Sequence, residues 1–172
     1  MADKSEGRSE TPIRVLLIDD EQDLLDYISK RLRLEGLRVS TATSGARAVE
    51  LAGEQDFDVA VVDLKMPGMD GIETQHELKR LQPFLQTIVL TGHGSIDAAL
   101  ESGREHAFRF LAKPSEHGEL IEAIRAAAEN KRDKQHAAFH AELAEVTAGG
   151  AGSREIMDAV AALRRKYGMP DS

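Results

Sequence analysis

Apolar and polar positions follow two different periods along this chain. Five short runs are apolar or β-branched: residues 13–18 (IRVLLI), 37–42 (LRVSTA), 59–62 (VAVV), 87–91 (TIVLT) and 108–112 (FRFLA). The first, third and fourth are apolar at consecutive positions, which predicts strands covered on both faces, as in a parallel sheet between helices. Between the runs the apolar spacing changes to three and four. Leu24, Leu25, Ile28, Leu32 and Leu34 predict a helix over about 20–35, with Gly36 placed to end it. Ser44 can cap a second helix that carries Ala48, Val49 and Leu51 and ends near Gly53. Ile72, Leu78 and Leu81 mark a third, Ile96, Ala99 and Leu100 a fourth, and Leu120, Ile121, Ile124 and Ala128 a fifth.

Five repeats of strand then helix predict a doubly wound α/β fold with right-handed crossovers. The working site of such a sheet lies beyond the carboxyl ends of its strands, near a topological switch point. Past Ala128 the helical pattern continues through Phe139, Leu143 and Val146 until TAGGAGS interrupts it, since glycine is costly inside a helix and favours a hinge near 148–152. A last helix, about 154–167, carries Ile156, Met157, Val160 and Leu163 on one face and needs something to pack on. The expected organisation is a loose tail over 1–12, an α/β domain over 13–130 and a helical extension over 131–172. So many glycines argue against the tight turn of a helix-turn-helix.

Composition narrows the class. Of the 172 residues 41% are hydrophobic but only 4% aromatic, so the core must be aliphatic. A net charge of -8 supplies no chain-wide field for nucleic acid or anionic lipid and argues against DNA binding by this chain alone. The absence of cysteine excludes disulfides, thiolate metal sites and cysteine nucleophiles. No window approaches the ~18 apolar residues of a membrane span, and the polar MADKSEGRSETP lacks the apolar stretch of a signal peptide. A cytoplasmic location is the default expectation.

The residues just past the strands carry the candidate chemistry. Asp19, Asp20 and Glu21 follow the first, Asp63 ends the third, Thr91 closes the fourth, and Lys113-Pro114 follows the fifth. Three carboxylates in one crevice would repel one another unless a cation were present. The candidate ligands are all oxygens, which selects a hard ion, and Mg²⁺ suits phosphate chemistry because it takes a few carboxylates plus waters and phosphate oxygen. Lys113 adds a point positive charge and Thr91 a hydroxyl. Together they are the parts that hold a phosphoryl group in transfer, with a carboxylate as nucleophile forming an acyl phosphate.

The segments LLIDDE, VVDLKMPGMDG, LTGHGSID and FRFLAKP occur in this order, and over about residues 13–131 the chain resembles the receiver domain of two-component response regulators. The resemblance implies a flavodoxin-like (βα)5 three-layer sandwich with a central five-stranded parallel sheet. It places the phosphoacceptor at Asp63, the acidic metal-binding pair at Asp19 and Asp20, a metal-binding backbone carbonyl at Lys65, the switch hydroxyl at Thr91, the conserved-type lysine at Lys113 and the switching aromatic at Phe110. It also implies a cis bond before Pro114. The partners implied are a sensor histidine kinase or histidine phosphotransfer protein and a downstream protein, and the long helix leaves a homodimer open. Two departures stand out: Ser115 replaces a frequent aromatic, and Phe110 a frequent tyrosine. Lys65 and His93 fill two variable places that in the family influence how fast the acyl phosphate hydrolyses, so long basic side chains there are expected to alter its lifetime.

Other features have plainer readings. Thr91 and Phe110 taken alone are ordinary strand residues. His136 and His140 are four apart on a helix but have no third ligand, so they read as solvent-exposed. Arg164, Arg165 and Lys166 complement a helix C-terminus. TGHG lacks the spacing of a nucleotide-binding loop. Two further functions compete with phosphorelay signalling. A haloacid-dehalogenase-type phosphatase also uses an aspartyl phosphate, but it places a second aspartate where Lys65 stands here. A receiver-fold adaptor acting without phosphorylation is disfavoured by the complete acidic set. Beyond its own phosphorylation and dephosphorylation, no enzymatic activity is expected.

Overall fold

The computed structural model describes residues 11–64, 66, 68–92, 107–113 and 116–171. The fourth predicted helix and the positions Lys65, Pro67, His93, Pro114 and Ser115 lie outside the described residues. Five strands, β1 (Arg14–Ile18), β2 (Arg38–Ala42), β3 (Val59–Asp63), β4 (Gln86–Thr91) and β5 (Arg109–Ala112), form one sheet in the order β2-β1-β3-β4-β5. All pairs are parallel, with Leu17 opposite Val61, Asp63 opposite Leu90 and Thr91 opposite Ala112. The order reverses between β1 and β3, which makes their carboxyl ends the switch point of a flavodoxin-like sheet.

The two-sided apolar strands are explained by what covers them. Val15, Leu17, Val59, Val61, Ile88 and Leu90 pack with Leu25 and Leu32 of α1 (Gln22–Leu34) and with Leu120 and Ile124 of α4 (His117–Ala148). The alternate residues Leu16, Ile18, Ala60 and Val62 turn the other way onto Ala48 and Leu51 of α2 (Gly45–Glu54) and Leu78 of α3 (Gly71–Leu81). The result is the expected three-layer sandwich, with β1 and β3 feeding both aliphatic cores by their period of two.

Helix ends follow local chemistry. At the end of α1 the N–H of Leu37 donates to the Leu32 carbonyl and that of Gly36 to Arg33, with Gly36 at φ +83°, a left-handed closure that favours glycine. Ser44 caps α2 by accepting from Arg47 N–H, and Asp70 caps α3 by accepting from Glu73 N–H at 2.8 Å. Two apolar-spacing expectations fail. Leu34 is 85% exposed because the α1 turn begins beside it, and the inner face of α3 consists of Thr74, Gln75 and Leu78, leaving Leu81 at the surface. Gln75 satisfies its buried amide on Thr87 Oγ1 at 2.6 Å, so a polar residue takes a place that the pattern gave to an aliphatic one.

Gln82, just past α3, joins three segments: its amide donates to the Ala52 and Gln55 carbonyls at 2.8 Å and accepts from Phe57 N–H at 2.9 Å. Gln82→Ala is expected to lower the unfolding free energy by about 2 kcal/mol, chiefly by stranding backbone groups near β3. Urea denaturation of the two proteins measures this.

The chain divides into two compact units, Met1–Ala128 and Glu129–Ser172. In the second, α4 ends in a hydrogen-bonded turn in which Gly149 N–H donates to Glu145 and Gly150 N–H to Thr147. After that turn, α5 (Ser153–Tyr167) comes back to touch α4: Lys166 Nζ lies 2.5 Å from Glu142 Oε1, and the Tyr167 hydroxyl donates to the same oxygen. The glycines thus make the close turn that their number had argued against. These bonds hold the Glu142 carboxyl below its ordinary range and raise Lys166. The buried side chains of α5 are Leu163 and Tyr167, while Met157, expected on the inner face, is 73% exposed. His136 and His140 are exposed.

Candidate phosphoryl and metal site

Three strand ends bring the acidic residues together. Asp19 follows β1, and its backbone N–H donates to the Ala42 carbonyl at the end of β2, which sets where its side chain starts. Its carboxylate accepts from Glu21 N–H at 3.0 Å through Oδ1. Asp63 is the last residue of β3, and Leu64 N–H donates to Leu90 O across to β4. Carboxylate oxygens of Asp19, Asp20 and Asp63 all lie within 4.8 Å of one another. Asp20 is exposed, whereas Asp19 and Asp63 are only 4% and 7% exposed, so the cluster opens to solvent on one side.

Lys113 reaches this cluster from the end of β5. Its backbone N–H donates to the Thr91 carbonyl at 2.7 Å, joining it to β4. Its ammonium lies 2.5 Å from Asp19 Oδ2 and 3.4 Å from Asp63 Oδ2. The ammonium thus meets the expected phosphoacceptor, but Asp19 has the closer contact. Burial opposes the lysine's charge most strongly, but the hydrogen bond to Asp19 and the charges of Asp19 and Asp63 outweigh it, and its pKa is raised. Among the described residues, one ammonium among three carboxylates leaves an excess of negative charge, and the clustered donors are all oxygen. This set fits a hard divalent cation such as Mg²⁺.

Thr91 is buried at the end of β4, its hydroxyl donating to the Gly92 carbonyl at 3.4 Å. Phe110 is half-buried on β5. Val89 pairs with Phe110 and Thr91 with Ala112, so Thr91 and Phe110 lie on the same face of the sheet, one period apart. The backbone carbonyl of Lys65 and the side chain of His93 fall outside the described residues. Sequence reasoning missed two backbone features: the Glu21 N–H that orients Asp19, and the approach of Gly71 to within van der Waals range of the Asp63 peptide. The DDE run and the DG pair after PGM were their signals, one carboxylate followed two residues on by a free N–H and one bare Cα opening a helix.

These features define the class: a doubly wound, flavodoxin-like α/β protein with three clustered carboxylates and a lysine at the switch point of its sheet. Residues 15–125 match the response regulator receiver domain, and the chain belongs to that family. It is 38% identical over 116 residues to the transcriptional regulatory protein GlrR of Escherichia coli, covering 67% of this chain and 26% of that protein. It is 30% identical over 121 residues to the DNA-binding transcriptional regulator NtrC of the same organism, covering 70% and 26%. Among solved structures, a response regulator receiver domain protein from Clostridium thermocellum superposes with a TM-score of 0.66 at 35% identity, covering 70% of this chain and 97% of that one. The chain thus spans about a quarter of the length of these curated relatives (26%). Among the described residues no helix is long and apolar enough to cross a membrane.

Proposed function

We propose that this receiver takes a phosphoryl group onto Asp63 from a sensor histidine kinase or a histidine phosphotransfer protein, and that the modification changes its contacts with a downstream protein. The observation that carries the reading is the convergence of Asp19, Asp20 and Asp63 with the Lys113 ammonium at one switch point. In the reaction an Asp63 carboxylate oxygen attacks phosphorus and forms the P–O bond of an acyl phosphate. The P–N bond of the donor phosphohistidine breaks, and the departing imidazole nitrogen keeps the electron pair and takes a proton from solvent.

Asp19, Asp20, Asp63 and the Lys65 carbonyl would hold Mg²⁺, which when bound neutralises the carboxylates and draws charge from the phosphoryl oxygens. Lys113, within reach of Asp63, exchanges part of its pairing for a phosphoryl oxygen. The Thr91 hydroxyl leaves the Gly92 carbonyl for another of those oxygens, and the space it vacates admits Phe110 on the same face of the sheet. Chemistry ends with hydrolysis of the acyl phosphate, so the protein modifies itself rather than turning over a pool of substrate, and it works in the cytoplasm. DNA binding belongs to the relative whose name states it and is not proposed for this chain, whose net charge is -8.

Incubation with acetyl phosphate and Mg²⁺, followed by intact-mass measurement, tests the reading. An acid-stable, base-labile adduct on the peptide containing Asp63, abolished by EDTA, is expected. Sustained phosphate release without a protein adduct would favour a phosphatase, and no adduct under any condition a phosphorylation-independent adaptor.

A further inference from the structure

We propose that Gly71 is a positioning residue for Asp63: its bare Cα lets the first turn of α3 abut the Asp63 peptide and keep the carboxylate aimed at Asp19, Asp20 and Lys113. The inference rests on the phosphoacceptor reading above. A Cβ at position 71 would lie 2.5 Å from the Asp63 carbonyl oxygen, 2.7 Å from Leu64 Cα and 3.1 Å from the Asp63 carbonyl carbon. All three are backbone atoms at the end of the phosphoacceptor strand, and none can swing aside as a side chain does. Gly71 is buried, and its own N–H donates to the Leu64 carbonyl at 3.3 Å, so helix and strand end are joined as well as touching.

Gly71 is not among the residues with positive φ, so backbone conformation does not demand glycine here. Helix propensity alone would make alanine the better residue. Space is what demands the glycine. One turn further along α3, Thr74 abuts the bare Cα of Gly45 at the start of α2, so the same helix is closely packed there as well. The first turn of α3 is also stiff: the Asp70 carboxylate accepts from Glu73 N–H, and the Asp70 carbonyl accepts from both Thr74 N–H and Thr74 Oγ1 at 2.9 and 2.8 Å. An added methyl must therefore displace the Asp63 peptide, by roughly 1 Å if ordinary contact is to be restored, a misplacement of the size that can cost a reaction about 100-fold.

The test compares full-length wild type, Gly71→Ala, the double variant Gly71→Ala with Thr74→Ala, and Gly53→Ala. Position 53 is helical with nothing within 4 Å of an added Cβ, which makes it the control for helix propensity. Three readouts are taken: the rate of adduct formation on Asp63 from acetyl phosphate and Mg²⁺, urea unfolding, and the metal-free NMR ¹³C shift of the Asp63 carbonyl with its Mg²⁺ titration. Gly71→Ala is expected to unfold cooperatively while reacting about 100-fold more slowly, with a displaced Asp63 carbonyl signal and weaker Mg²⁺ binding. Gly53→Ala should match wild type in rate, and the double variant, which gives α3 room to withdraw, should recover part of the loss. A Gly71→Ala protein with wild-type rate, carbonyl shift and Mg²⁺ affinity overturns the proposal. Should that single variant not fold, the double variant decides: a folded, Mg²⁺-binding chain supports positioning and an unfolded one overturns it. If wild type itself forms no adduct, the phosphoacceptor reading fails, and the carbonyl shift and Mg²⁺ titration still decide the role of Gly71.

Discussion

Asp63→Asn is expected to abolish the phosphoryl adduct completely and, in metal-free buffer, to make the fold more stable by about 1–2 kcal/mol. The first effect follows from chemistry, because an amide oxygen is a poor nucleophile and cannot form the acyl phosphate. The second follows from geometry. Asp63 lies within 4.8 Å of two other carboxylates, with the Lys113 ammonium at 3.4 Å, and it is nearly buried. Without a metal, the repulsion from Asp19 and Asp20 and the cost of desolvation oppose the attraction of Lys113, so neutralising this residue relieves strain in the cluster. Mg²⁺ should reverse the order, stabilising the wild type by mass action and the variant much less. Intact mass and urea denaturation with and without Mg²⁺ read both effects. An adduct that persists in Asp63→Asn would move the phosphoacceptor elsewhere.

Lys113→Met should have the opposite signature. The lysine ammonium lies 2.5 Å from Asp19 and also meets Asp63. Removing it takes away the ammonium that both largely buried carboxylates meet, a loss of about 3 kcal/mol when one partner of a buried pair is deleted. Its ammonium is partly open to solvent, which places the expected value toward the lower end of that class. Saturating Mg²⁺ should restore much of the stability, because an ion at the carboxylates replaces the missing charge. Phosphorylation should remain slow by 100-fold or more, on the order of the loss of one fixed donor to the transferring group. The separation matters: stability rescued by metal while rate is not would assign the lysine a part in holding the phosphoryl group beyond its part in the resting cluster. A Lys113→Met protein as stable as wild type in EDTA would show that the pairing is not needed in the resting state.

Both predictions concern residues that the sequence presents at strand ends. An apolar run such as VAVV stopping at Asp63, and LLI stopping at Asp19, marks where a buried strand leaves the core, because a carboxylate cannot stay between two aliphatic layers. The strands, their two-sided burial and the Ser44 cap are legible for the same reason: they depend on local spacing and on one or two neighbours. Misreadings arose where a position's neighbours come from elsewhere in the chain. Leu81 and Met157 have apolar side chains at helical spacing and are exposed, while Gln75 and Thr74 are buried, because the partner surface decides which positions a helix covers. The break near Gly149 and Gly150 was legible, but the contact across it, from Glu142 to Lys166 24 residues later, was not.

By itself the sequence determined the five strands, the parallel α/β class, the aliphatic character of the core and the chemical types available for a site, since these follow from side-chain period and composition. The tertiary structure decided which carboxylate Lys113 approaches, 94 residues away, and how closely the start of α3 presses on the Asp63 peptide. Those are distances set to fractions of an ångström by how layers pack, and residue types alone do not fix them.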